Sequence, residues 1–173
     1  MLIFSCNHVT TIAAYVRDSI DMISSLKSKG SIEGDVIMAI FDVESQYTCI
    51  PHHGGLEAIT FLNQLSPEAL PSTPCIKELA ELVLTKNIFM FQNDFFLQTR
   101  GTAMGCTIAL NYANLFMGLF EQDIIFCQNN QFLSRIKLWH RYVDIIMMVT
   151  VLAQICTENL TETHYRGETV STL

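Results

Sequence analysis

Two strand-like runs near the end of the chain, "IKLWHRYV" and "IIMMVTVL", are separated by one residue, Asp144. Parallel neighbours need a crossover of about a dozen residues or more, so a joint this short forces an antiparallel hairpin. Few other features of the chain restrict its fold as much. The hairpin also sets a lone carboxylate between two segments that read as buried. Upstream, "VIMAIFDV" is a short apolar run rich in strand formers; it reads as a buried strand with Asp42 near its end. A second hairpin is predicted for "IFMFQNDFFLQ", where two apolar runs flank Gln92, Asn93 and Asp94 without a glycine in the turn.

The remaining segments carry helical spacing. Ile12, Tyr15, Val16, Ser19, Met22, Ile23 and Leu26 recur on one face, with Thr10 or Thr11 as the cap and "SKGSIEGD" as the terminating loop. "YTCIPHHGG" reads as a loop. "LEAITFLNQL" and "PCIKELAELVLTKN" read as helices divided by the proline-containing "SPEALPSTP". After the small-residue loop "TRGTAMGCT", the stretch "IALNYANLFMGLFEQDIIF" predicts one helix, broken by "NNQ". The order is helix, strand, helices, hairpin, helix, hairpin. Helices mixed with antiparallel strands give an α+β layer. The expected organisation is a helical lead-in over 1–34, the main unit over 35–153, and an irregular polar tail over 154–173.

Composition narrows the class. Half of the 173 residues are apolar and 16% are charged, which supplies a core and excludes a disordered chain. The net charge of −7 weighs against a nucleic-acid binder, which is usually basic. The six cysteines, Cys6, Cys49, Cys75, Cys106, Cys127 and Cys156, form no CxxC pair, and no histidine sits at zinc-finger spacing from them. Reduced thiols are expected. "MLIFSC" is too short, and lacks the basic start, for a secretory leader. The most apolar window, Tyr142 to Ala153, is too short to span a bilayer and reads as core. These features predict an intracellular protein with no membrane partner; nucleus and cytoplasm are equally compatible, and no oligomeric state is implied.

Asp42 and Asp144 each end a strand-like run. Burying a carboxylate is costly without a cation or donors, and two converging carboxylates repel. A hard cation such as Mg²⁺ relieves both penalties, since it takes oxygen ligands and commonly uses one or two carboxylates with substrate phosphates. Two such ions about 3.5–4 Å apart can clamp the attacking and leaving oxygens of phosphoryl transfer. The plainer alternative is that each Asp is a turn residue or helix cap. In "GTAMG", Gly101 and Gly105 permit close backbone approach, either to a ligand or to a neighbouring helix.

In combination, three stretches carry more information: "FDVESQYTCIPHHGGLEAI", "QTRGTAMGCTIALNYANLFMG" and "WHRYVDIIMMV". They resemble motifs A, B and C of reverse transcriptases, most closely those of Penelope-like retroelements, whose motifs run like DVxSLYTNIPHxxG, GTAMGxxxAPxYANLFM and RYIDDIF. "YVRDSIDMISSL" and "LVLTKNIFMFQNDFFLQ" fit the same family, and the resemblance covers roughly residues 15–150 in order. It implies a polymerase palm, a layer of antiparallel strands packed on helices. It implies Asp42 and Asp144 as catalytic, metal-binding carboxylates for Mg²⁺. It also implies an RNA or DNA template–primer and a deoxynucleoside triphosphate as partners.

Tyr47 would lie under the sugar of the incoming nucleotide and exclude a 2′-hydroxyl; its alternative is an ordinary buried tyrosine. Gly101, Thr102, Ala103, Met104 and Gly105 would shape the floor of the nucleotide site. Arg141 and Lys137 would meet backbone phosphate, or else are solvated strand ends. His52 and His53 read as loop polar residues rather than ligands, because Mg²⁺ prefers oxygen.

The chain departs from the family at telling positions. Motif C of the family carries two adjacent aspartates, whereas here Ile145 follows Asp144. Two formal negative charges replace three, and Ile offers no oxygen. Gln46 stands where the family favours Leu, and Leu110 where it favours Pro. The fingers, thumb and GIY-YIG nuclease domain of a full element fall outside these residues. The expectation is a degenerate reverse-transcriptase fragment, polymerase by descent and inactive. The alternatives are a non-catalytic scaffold or interaction module, and a translated pseudogene without function.

Overall fold

The structure is a computed structural model that describes residues 9–10, 12–65 and 71–151. In chain order its elements are α1 (Ser19–Lys29), β1 (Val36–Asp42), α2 (Gln46–Cys49), α3 (His52–Leu65), α4 (Thr73–Thr85), β2 (Ile88–Phe91), β3 (Asp94–Leu97), α5 (Ala109–Phe120), β4 (Ile136–Tyr142) and β5 (Ile145–Val151). A π-helical turn, Glu121–Ile125, extends α5, and a 3₁₀ turn, Leu133–Arg135, leads into β4. The α+β expectation holds. Residues 66–70 and the tail expected over 154–173 lie outside the described residues.

One sheet has the order β1-β5-β4, antiparallel throughout. β4 and β5 form the hairpin that their two-residue joint requires. β5 is central, and β1 pairs it from Val36 opposite Val151 to Asp42 opposite Ile145. Side chains alternate across a strand. Tyr142, Ile145 and Asp42 therefore share one face, while Arg141, Ile146 and Phe41 share the other. On that second face Phe41 stacks on Trp139 with ring centroids 6.5 Å apart. β2 and β3 form a separate hairpin. Its turn residues Gln92 and Asn93 both have positive φ, 50° and 68°, as a type I′ turn demands, and Asn stands in for the usual glycine.

The main core is helical. Ile59 and Phe61 of α3, Ile76 and Leu84 of α4, and Tyr112 and Leu115 of α5 pack together with Val9, Ile12, Ile50 and Ile108. Each fully buried aliphatic or aromatic side chain of this kind contributes about 1.5–3 kcal/mol. β4 and β5 add Leu138, Ile146 and Val149.

Four expectations need correction. The first helix begins at Ser19, not near Ile12, because the Asp18 carboxylate accepts from the Asp21 amide at 2.9 Å and caps it. The preceding residues instead run beside β4, where Arg141 N donates to Ala14 O (2.7 Å) and Val16 N donates to Arg141 O (2.8 Å). "YTCIPHHGG" is not a loop. It comprises α2 and the first turn of α3, which starts after Pro51, a residue with no amide to leave unsatisfied. β1 is an exposed edge strand rather than a buried one, since among the described residues β5 is its one partner. Finally, the long predicted helix changes pitch at Glu121, where Phe126 N reaches back five residues to Glu121 O at 2.8 Å.

Candidate functional site

The register of β1 on β5 places the two candidate residues, Asp42 and Asp144, at neighbouring ends of one sheet. Asp42 is the last residue of β1, and Asp144 is the turn residue immediately before its partner Ile145. The Val43 amide donates to the Asp144 carbonyl at 2.9 Å, which ties the end of β1 to the β4–β5 turn. Neither carboxylate is buried as expected: Asp42 is exposed and Asp144 half-buried, because the end of the sheet opens to solvent.

After β1 the chain reverses through Ser45, at φ 52°, into the short helix α2. This places Tyr47 within electrostatic reach of Asp144. Burial pushes the Tyr47 phenol above its ordinary pKa, and the Asp144 charge adds to the rise. The glycine loop docks on the other side of α2. Gly101 N donates to Ile50 O (3.0 Å), Thr102 N to Tyr47 O (2.7 Å), and Arg100 Nε to Cys49 O (3.0 Å). Gly101 has φ 72°, and a β-carbon there would lie 2.6 Å from the Tyr47 and Thr48 backbone. Only glycine fits. Gly105 has φ 85° but faces open space.

Asp42, Asp144, Tyr47, Gly101 and Thr102 are thus joined through consecutive contacts. Thr102 is buried and Met104 is exposed. Thr102 and Ala103 also line a cleft of about 50 Å³ with Val83, Leu84 and Cys106, so this part of the loop faces α4. His52 contacts Gly101 O through Nε2 at 2.9 Å.

Among the described residues no group of three or more His, Cys, Asp or Glu side chains could hold a metal ion. Two carboxylates suit one hard cation completed by substrate phosphates. They do not suit a pair of cations. The four described free cysteines, Cys49, Cys75, Cys106 and Cys127, belong to no such group.

Arg141 is the site residue whose role changes most. It was expected to meet phosphate or solvent, yet it is 0% exposed and forms an ion pair with Glu121, also buried, at 2.8 Å. Lys137 is a solvated residue whose Nζ donates to Ser134 O at 3.2 Å. Sequence reasoning missed Glu121 and Asn114 as partners of Arg141. The one available signal was a glutamate interrupting the apolar run "LFMGLFEQDII". Gln46 is also buried, and neither its amide oxygen nor its nitrogen has a partner among the described residues.

No protein-family profile matches the chain, and no curated protein matches it in sequence. Solved structures do. The apo telomerase of Candida tropicalis, truncated from its C-terminal domain, superposes with a TM-score of 0.62 at 14% identity, covering 82% of this chain and 30% of that one. The apo telomerase of the same organism gives 0.64 at 11% identity, over 81% of this chain and 28% of that one. Telomerase of Candida albicans, in complex with a fragment of telomeric RNA, gives 0.63 at 13%, over 82% and 28%. The chain has the fold of part of these telomerases. It spans less than a third of the length of these neighbours. No helix among the described residues is long and apolar enough to cross a membrane.

Proposed function

We propose that this chain is the palm portion of a reverse transcriptase of the Penelope-like retroelement kind, an RNA-directed DNA polymerase by descent that no longer extends primers. The observation that carries the reading is the β1–β5 register, in which Asp42 pairs with Ile145, the residue that follows Asp144. The telomerase-like fold and the order of the three motifs support it.

In this reading Asp42 and Asp144 would hold a Mg²⁺ ion, which when bound would offset the negative charge of substrate phosphates. Tyr47, seated on α2 beside Asp144, would underlie the sugar and disfavour a 2′-hydroxyl. Gly101 keeps the loop against the Tyr47 backbone and so fixes the phenol's support. Ile145 stands where the family has a third carboxylate, and this is the physical ground for inactivity. A template–primer and a deoxynucleotide are the partners the reading assigns.

The test is primer extension with Mg²⁺ or Mn²⁺, alongside Mn²⁺ binding followed by electron paramagnetic resonance. The natural chain is expected to give no extension and weak Mn²⁺ binding that disappears in Asp42→Ala. Robust extension would refute the loss of activity. Binding indifferent to Asp42→Ala and Asp144→Ala would refute the cation site.

A further inference from the structure

Arg141 precedes the Val143–Asp144 turn, and all five of its guanidinium N–H groups are accounted for. Nε donates to Glu121 Oε1 (2.8 Å) and Nη2 to Glu121 Oε2 (3.3 Å). Nη1 donates to Asn114 Oδ1 (2.6 Å), and Nη2 also donates to Asn114 O (3.3 Å). The remaining Nη1 bond goes to the carbonyl of Val143 at 3.2 Å. Glu121 accepts a further bond from Trp139 Nε1 at 3.2 Å.

A buried ion pair is often no more stable than well-packed apolar side chains of the same volume, so stability alone explains its presence poorly. The Val143 bond suggests what it is for. Val143 has φ 57°, a left-handed conformation that a β-branched residue rarely adopts. The surroundings must impose it. Two contacts flank this strained peptide: Arg141 Nη1 holds the Val143 carbonyl from the helix side, and Val43 N holds the Asp144 carbonyl from β1. The other four guanidinium bonds anchor Arg141 to α5 and to Glu121, the residue at which the helix widens into its π turn.

We propose that Arg141 is a positioning residue, clamped by Glu121 and Asn114, that holds the Val143–Asp144 turn in its left-handed shape and so sets Asp144 beside Asp42. Its value for cation binding rests on the polymerase reading above; its action on the turn does not. The planar fork is essential to the device. A lysine would keep the charge near Glu121 but could not bridge Glu121, Asn114 and Val143 at once.

The test is amide hydrogen exchange of the whole chain, read at Val43, with the Tyr112 and Leu115 amides of the helical core as the reference for global opening. Two variants are compared with the natural protein. Arg141→Lys keeps the charge, and the double variant Arg141→Met with Glu121→Leu fills the same volume with apolar groups. In both, Val43 is expected to exchange at least about tenfold faster while Tyr112 and Leu115 keep their protection.

Natural protection at Val43 in either folded variant overturns the proposal. So does loss of Tyr112 and Leu115 protection in Arg141→Lys, since the ion pair would then serve folding alone. Mn²⁺ binding separates the two readings. Where the natural chain and Ile145→Asp both fail to bind Mn²⁺ and yet Val43 loosens in the variants, the cation site fails and the clamp stands.

Discussion

Asp42 lies directly across from Ile145 in the β1–β5 pairing, so an aliphatic side chain stands opposite a carboxylate. Ile145 is 46% exposed, and its removal forfeits little apolar burial. The electrostatic consequence of Ile145→Asp is larger. Like charges opposite each other on paired strands destabilise, by up to about 1 kcal/mol, and Asp144 stands next in sequence. In chelator, Ile145→Asp is expected to melt a few degrees below the natural chain, on the order of 2–4 °C. With Mn²⁺ at about 100 times its Kd the variant should gain about 2.7 kcal/mol. Thermal melts with and without metal check this; equal metal responses in the two proteins would contradict the shared site.

Gly101 and Gly105 separate two reasons for glycine. Both have positive φ, which alone costs a non-glycine residue about 1–2 kcal/mol. Gly101 also abuts the Tyr47 and Thr48 backbone, which cannot move aside as a flexible side chain could. Gly105→Ala should therefore cost about 1–2 kcal/mol. Gly101→Ala should cost at least about 3, because overpacking adds to the strain. Urea unfolding of the two variants decides the matter; equal losses would mean that the loop does not press on α2.

Gln46 is a polar group buried without a partner at a position where the family resemblance expects Leu. An unsatisfied buried amide costs about 1–3 kcal/mol. Gln46→Leu removes that cost and adds apolar burial, so it should stabilise the protein by about 1–2 kcal/mol. A rise in the urea midpoint with unchanged slope is the expected signature. A fall would show that the Gln46 amide is satisfied in solution.

The parts of the fold that follow from local chemistry were readable in advance. The joint at Asp144 dictated the β4–β5 hairpin, and helical patterning located α4, α5 and all of α3 except its first turn. What escaped reading depended on partners far away in sequence. "VIMAIFD" has the apolar character of a buried strand, yet it lies at a sheet edge with Met38 and Ile40 exposed. Strand propensity reports side-chain type and says nothing of how many neighbours a strand will have. Arg141 reads as a phosphate contact or a solvated strand end because its counter-charge, Glu121, stands 20 residues away on a helix. In the candidate site, the closeness of Asp42 and Asp144 followed from motif order. The clamp behind the turn required coordinates.

His140 offers a prediction in pH. Its ring sits between β4 and α1, with Nε2 2.7 Å from Ser25 Oγ. Burial first, and the Lys29 ammonium second, hold its pKa below the ordinary 6.5, while the Trp139 backbone and, more weakly, Asp21 oppose the shift. The folded protein thus takes up this proton less readily than the unfolded chain does. The stability that neutral His140 contributes is complete above about pH 6.5. It is lost as pH falls from there through the lower folded pKa, because the unfolded state binds more protons in that interval. The Asp18 carboxylate, which lines the same cavity, is shifted downward and so titrates well outside this window. Melting temperature should therefore rise with pH between about 5 and 7, and His140→Gln should flatten the rise. An equal slope in His140→Gln would assign the dependence to another group.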